Sequence, residues 1–450
     1  MLDLLLYFLL GLIIITFEVS RKKYFIIDHI TMFNFFFFLV YSFTPISLIL
    51  RGTSLINDDM PYGVEYFGNN IFTSSIVFAA YLFYILGYVF KSYEEEKHTL
   101  IYDTKFKTSL VVKLLPFLYI FLFIILYVYV SEFGGLKRAI ELSEAYRSGA
   151  IQFHRFAFVE RFFPLNTILL YYLYYKVMLE KKKEYRFTLT LFFMLSILFS
   201  VLIMAIYSSR GFIIFEVAGL YVITAIYHRN YFFKYLIPAA TVALLVILFG
   251  KPLFNSISDL VKYGFDAFLN GFLNRLEIIN QEEKSIISNF THPIVSLECS
   301  LAHSGIDVDL RYFKDIFYAF FSLLPNELLG IKDPQLLMQL NTLLLQGQEV
   351  EQILPGILGF FSYQLQVIGV FIGSFLYGMF GSYLYKLFIA FYKNTKSSIV
   401  FIYIITMSYG YFVFRGSPVN LLQEKFILIV VLGSIVLGSS FIFKKKEPLS

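Results

Sequence analysis

Apolar residues fall in long runs near 2–20, 30–50, 71–90, 110–131, 165–180, 188–208, 211–227, 235–250, 365–391, 398–414 and 424–443. About 20 such residues, wound as a helix, cover the hydrocarbon of a bilayer. The pattern predicts eleven membrane-spanning helices. The run 165–180 is the weakest, being short and ending in Lys176 and Glu180. Three units follow: a membrane part over 1–250 with an inserted helical segment at 132–164, a long loop over 251–364, and a last membrane part over 365–450. The stretch 352–393 is too long for one straight span. Its Pro355, Gly356 and Gly359 predict a short re-entrant piece before the ninth span, whose Gly369 and Gly373 stand at the spacing that permits close helix packing.

Composition agrees with this class. Hydrophobic residues make up 58% and charged residues 15%, against about a quarter charged in soluble domains. A soluble enzyme, a disordered chain and a nucleic-acid binder are excluded. The single cysteine, Cys299, excludes an intramolecular disulfide and cysteine-based metal sites. Trp is absent while Tyr numbers 35, so Tyr must supply the interfacial belt. No basic residue precedes the first run, which argues against a cleaved signal peptide.

Lysine sets the orientation. With the N-terminus outside, 18 of the 25 lysines fall in inside segments, anchored by the blocks at 21–23, 181–183 and 444–446. The positive-inside rule then places the C-terminus inside. Arginine runs the other way. Arg21, Arg186 and Arg229 lie inside; Arg51, Arg138, Arg147, Arg155, Arg161, Arg210, Arg275, Arg311 and Arg415 lie outside. Long loops escape the rule, which accounts for Arg275 and Arg311. It does not account for Arg210 and Arg415, which occupy the tight turns Ser208-Ser209-Arg210-Gly211 and Arg415-Gly416-Ser417-Pro418. A cation at headgroup depth must snorkel or find a partner, and an anionic ligand would supply one.

Arginine is permanently charged and bidentate toward phosphate, so an external set of arginines suits a phosphorylated lipid. Arg138, Glu141, Glu144 and Arg147 are spaced to pair along one helical face. Arg155 and Arg161 alternate with Phe residues, as in a helix lying at a membrane surface. The external histidines His154, His292 and His303 are not at ligand spacing, so no metal or other cofactor is expected. No phosphate loop or nucleophile elbow occurs.

The external segment running from Gly134-Gly135-Leu136 to Tyr146-Arg147-Ser148-Gly149 resembles O-antigen polymerases of the Wzy type. So do Ser-Ser-Arg-Gly opening a helix, the large late loop, Leu324-Pro325-Asn326, and Pro355-Gly356-Ile357-Leu358-Gly359 before a Gly-rich helix. The strictly spaced Arg and Gly repeats of some members are not evident. The resemblance implies an all-α, polytopic, glycosyltransferase-C-like enzyme in the bacterial inner membrane, with its site facing the periplasm. It would join lipid-linked oligosaccharide units, with a glycan on undecaprenyl pyrophosphate as donor and a flippase and a chain-length regulator as partners. Arginines would stabilise the leaving pyrophosphate without metal. The pyrophosphate candidates are Arg210 and Arg415, then Arg147, Arg155, Arg161, Arg275 and Arg311. The attacking hydroxyl calls for a base among His303, Glu144, Glu160, Glu349 and Glu351, with His303 first because it can hold a proton near neutral pH. An O-antigen ligase and a lipid-linked oligosaccharide flippase are the rival readings.

Overall fold

The computed structural model describes residues 1–51, 70–92, 108–143, 157–179, 184–207, 210–228, 230–281, 290–323, 335–347, 353–394 and 398–431. These residues are all-helical. The helices are α1 (Leu2–Ser20), α2 (His29–Phe38), α3 (Thr44–Arg51), α4 (Ile71–Ser92), α5 (Thr108–Glu132), α6 (Leu136–Glu141), α7 (Pro164–Tyr174), α8 (Arg186–Tyr207), α9 (Arg210–Tyr227) and α10 (Tyr231–Tyr263). Next come α11 (Phe265–Gln281), α12 (His292–His303), α13 (Lys314–Phe321), α14 (Leu337–Gln346), α15 (Gly356–Asn394), α16 (Ile399–Arg415) and α17 (Pro418–Glu424). A π-turn at Leu39–Phe43 joins α2 to α3, another extends α7, and a 3₁₀ turn spans Ala157–Phe162.

Among the described residues, six helical stretches are long and apolar enough to cross a membrane: Leu2–Ser20, His29–Leu50, Ile71–Phe90, Leu110–Glu132, Arg186–Tyr207 and Gly356–Lys393. The chain is a helical membrane protein. Phe215–Tyr227, Lys234–Val246 and Ile399–Arg415 form shorter apolar helices at three further predicted spans. Most of the eleventh, 424–443, lies outside the described residues.

Two aromatic-rich cores fill the interior. The first joins α1–α4 to α12, α14, α15 and α16. The second joins α5 and α7–α9 to α16 and residues 426–431. Helix α16 is their common wall, and its sequence shows why. Ile402, Tyr409 and Val413 lie along one face and enter the first core. Val400, Tyr403, Ile404 and Met407 lie along the other and enter the second. A helix apolar all round belongs between two packed layers. Its Tyr409 stacks on Tyr377 of α15, ring centroids 4.3 Å apart. Each hydroxyl donates to the other residue's carbonyl, at 2.7 and 2.8 Å. Both polar tips are thereby satisfied in apolar surroundings.

Helix α15 is broken where the sequence separates the short piece from the ninth span. Leu365 and Gln366 leave helical geometry, with φ of −149° and 52°. Residues 356–364 fold back on the rest of α15, so that Phe361 covers Gly369 and Gly373. A Cβ on Gly369 would strike the Phe361 carbonyl. The paired glycines thus serve a helical hairpin within one chain. Close backbone approach recurs where α4 crosses α15, at Gly87 and Gly378.

Candidate functional site

The loop residues 292–323 wrap the hairpin of α15. Helix α12 crosses at Gly359, where a Cβ would lie 3.5 Å from the Leu297 nitrogen. Arg311 and Tyr312 donate their backbone N–H groups to the carbonyls of Tyr363 and Gln364, which end the short piece. The Phe313 N–H donates to Gln364 Oε1 at 2.7 Å. Tyr312 and Phe313 hold φ of 46° and 59°, an uncommon conformation for bulky residues. The hairpin base is tied to α14: Asn341 Nδ2 donates to Ser296 Oγ and to the Ile353 carbonyl, both at 3.0 Å, while Tyr363 donates to Asn341 Oδ1 at 2.9 Å.

Two turns that the sequence shows only separately meet here. Gly416 ends α16 in a left-handed conformation, φ 60°, and its Cα lies against the Gly356 backbone, leaving no room for a side chain. The Arg415-Gly416-Ser417-Pro418 turn and the Pro355–Gly359 element are therefore one junction. From it α17 runs to the end of α13, and Gln423 Nε2 donates to the Ser322 carbonyl at 3.3 Å.

The predicted arginines have different partners. Arg311 is bidentate to Asp315, at 2.5 and 2.6 Å, and also donates to the Gln335 carbonyl at 3.0 Å. Arg275 donates to Asp259 at 2.5 Å and to Ser256 at 2.9 Å, linking α11 to α10. Arg415 pairs with Glu424 and lies over the Tyr411 ring, 5.0 Å from its centroid. Its buried Nε has no hydrogen-bond partner among the described residues. Arg161 differs: its Nη1 donates to the carbonyls of Ser322 and Leu323, both at 2.9 Å, and among the described residues no carboxylate pairs with it. Burial pulls its proton affinity below the usual arginine value, partly offset by Glu160. The guanidinium caps the end of α13 where the chain enters Leu324-Pro325-Asn326. Arg147 and Arg155 lie outside the described residues, as does the side chain of Arg210, which opens α9.

Among the predicted bases, His303 Nδ1 lies 2.6 Å from Asp307 Oδ2, both partly exposed. With Nδ1 donating, Nε2 is left to accept a proton. Glu160 accepts from Tyr207 at 2.7 Å. Glu144, Glu349 and Glu351 lie outside the described residues.

Three acidic residues matter that the sequence did not single out: Asp315, Glu424 and Glu298. Glu298 lies on α12, 7% exposed, with Oε1 buried and, among the described residues, unpartnered. Burial pushes its carboxyl up to about 7, while a bond with Thr73 pulls the other way. Such a group can exchange a proton near neutral pH. It is the sole acid in the otherwise uncharged run Pro293–Ala302, and that was its available signal. Comparison of the chain with family models, with curated proteins and with solved structures gives no match.

Proposed function

We propose that the chain polymerises lipid-linked oligosaccharide repeat units on the periplasmic face of a bacterial inner membrane, using eleven spans and a glycosyltransferase-C-like arrangement. The acceptor sugar's hydroxyl attacks the anomeric carbon of the donor glycan. The bond from that carbon to pyrophosphate breaks, undecaprenyl pyrophosphate leaves, and the hydroxyl proton passes to a base. His303, oriented by Asp307, Glu160 and Glu298 are the described candidates for that base.

The observation that carries this reading is the convergence of three elements. Arg161 meets the end of α13 just before Leu324-Pro325-Asn326, and the Arg415 turn reaches the same place through α17 and Gln423. A half-buried guanidinium whose hydrogen bonds among the described residues go to carbonyls keeps its charge for a phosphate. Arg415, already neutralised by Glu424, sets the turn.

In a strain lacking the gene, surface lipid should retain caps of one repeat unit and lose the ladder of longer chains. Loss of every cap, single units included, would point to a ligase or a flippase and end the polymerase reading.

A further inference from the structure

The second core contains an acid that the proposed reaction does not use. Glu216 lies on α9 within the apolar stretch Phe215–Tyr227 and is 6% exposed. Its Oε1 accepts from Ser200 Oγ of α8 at 2.9 Å. Ser200 Oγ in turn accepts from Asn166 Nδ2 of α7 at 2.9 Å, and the same amide nitrogen donates to the Ser196 carbonyl at 3.2 Å. Asn166 is fully buried, and among the described residues its Oδ1 has no hydrogen-bond partner. The bonds run in one direction, from amide to hydroxyl to carboxyl. They end on Glu216, and among the described residues they leave Asn166 Oδ1 a bare acceptor. The cluster is short of donors.

Nothing described supplies the missing positive charge. From α7 and α16, Tyr171 and Tyr403 face this part of α9, but both hydroxyls donate to the Phe215 carbonyl, at 3.1 and 2.8 Å. Tyr119 of α5 is bonded to Ser196 of α8. Lys176, beyond α7, lies over the rings of Tyr172 and Tyr175, 5.8 and 5.3 Å from their centroids. Arg415 at the end of α16 pairs with Glu424. Among the described residues Glu216 has no ion pair. An ionised carboxylate in an apolar helix bundle without a counter-charge is costly, and carboxyls in such places commonly carry a proton or bind a cation.

We propose that Glu216, with Ser200 and Asn166, is a proton-binding site inside the helix bundle, and that its carboxyl holds the proton at neutral pH. This does not depend on the polymerase reading, since no residue of the cluster belongs to the site proposed for it.

Two measurements on the full chain in membranes test it. Dicyclohexylcarbodiimide adds to protonated carboxyls from the apolar phase. It should modify the peptide carrying Glu216 at neutral pH and leave Asp28, buried but paired with Arg21, unmodified. Above the midpoint, labelling should fall about tenfold per pH unit, and sodium at constant ionic strength should not protect. The infrared spectrum of the wild-type protein minus Glu216→Gln should show the carbonyl stretch of a protonated acid at neutral pH, which needs no reagent access. A carboxylate band there instead, or protection by sodium, overturns the proton site; protection would assign a metal cation to the same ligands.

Discussion

Arg21 and Arg161 are both substantially buried arginines, and their surroundings are opposite. Arg21 follows α1 and contacts both oxygens of Asp28, at 2.6 and 2.7 Å, both oxygens of Glu18, at 2.9 and 3.1 Å, and Thr31 at 2.8 Å. Lys23 adds a contact to Glu18 at 2.5 Å. Two acids and two bases cancel. Asp28 also accepts from the Thr31 N–H at 2.8 Å and so caps α2. Burial would lower the Arg21 proton affinity, but Asp28 and Glu18 outweigh it and raise it. Arg161 has carbonyls in place of carboxylates, and burial lowers its proton affinity. A closed set of charges fixes two helices against each other. An open one keeps a net charge that a ligand can use.

The largest effect should come from opening the closed set. Arg21→Ala leaves Asp28 buried without its ion-pair partner, which costs about 3–5 kcal/mol, and leaves Glu18 to Lys23 and Asn34. Folded protein recovered in mild detergent should drop sharply. The arginine also holds the Asp28 carboxyl below the ordinary aspartate range, against the opposing effect of burial. Its contribution is therefore present above that range and lost as pH falls through the depressed value. Wild-type stability should fall on acidification, and in Arg21→Ala the acid limb should flatten. An unchanged acid limb would show that the set is not closed around Arg21.

Glu298 tests the opposite sign. Its carboxyl is raised, to about 7, so the favourable state is the protonated one. Its contribution is complete below the ordinary glutamate range and disappears as pH rises through about 7. Glu298→Gln keeps the shape and cannot ionise. It should match the wild type in acid and exceed it on the alkaline side by up to about 3 kcal/mol. Thermal unfolding across that range checks it, and a gap independent of pH would mean that Glu298 is not buried as an acid.

Much of the architecture was legible in the sequence because hydrocarbon allows few alternatives. The long runs could only be helices, and six stand out as such among the described residues. The interruption near Pro355–Gly359 announced the hairpin of α15, since the stretch exceeds one span. Partners were not legible. Arg311 with Asp315 is a local i, i+4 pair, yet Gln335 and Gln364 complete that site from far along the chain. Arg161 meets carbonyls about 160 residues away. No periodicity reports such contacts. The arginines that the sequence assigns outside therefore looked alike, although Arg275, Arg311 and Arg415 each hold a carboxylate and Arg161, among the described residues, pairs with none.

Arg161→Ala should affect the open site selectively. It removes two bonds at the end of α13, about 1 kcal/mol each, so the protein should still fold. The proposed loss is a charge-assisted contact of about 1.5–3 kcal/mol, or roughly ten- to a hundredfold in turnover if it forms in the transition state. Arg161→Lys retains charge without the planar fork and should recover little. The sugar ladder at matched membrane levels is the readout. Full recovery by Lys would mean that charge alone suffices, and a normal ladder with Ala would remove Arg161 from the site.

The smallest effect is expected at Arg275. Its ion pair with Asp259 links α10 and α11, but the side chains are 31% and 21% exposed. Solvent screens such a pair, and exposed pairs of this kind contribute less than about 1 kcal/mol. Asp259→Asn and Arg275→Ala should each leave folding nearly intact. The two changes together should cost no more than the larger single one, because the second removes a partner already lost. Arg275 is also among the external arginines that the sequence alone would assign to pyrophosphate. If its charge is closed off by Asp259, Arg275→Ala should leave the ladder unchanged while Arg161→Ala shortens it. A shortened ladder with Arg275→Ala and a normal one with Asp259→Asn would show that the Arg275 charge reaches the substrate despite its partner. Pairing with a carboxylate would then no longer separate structural arginines from functional ones.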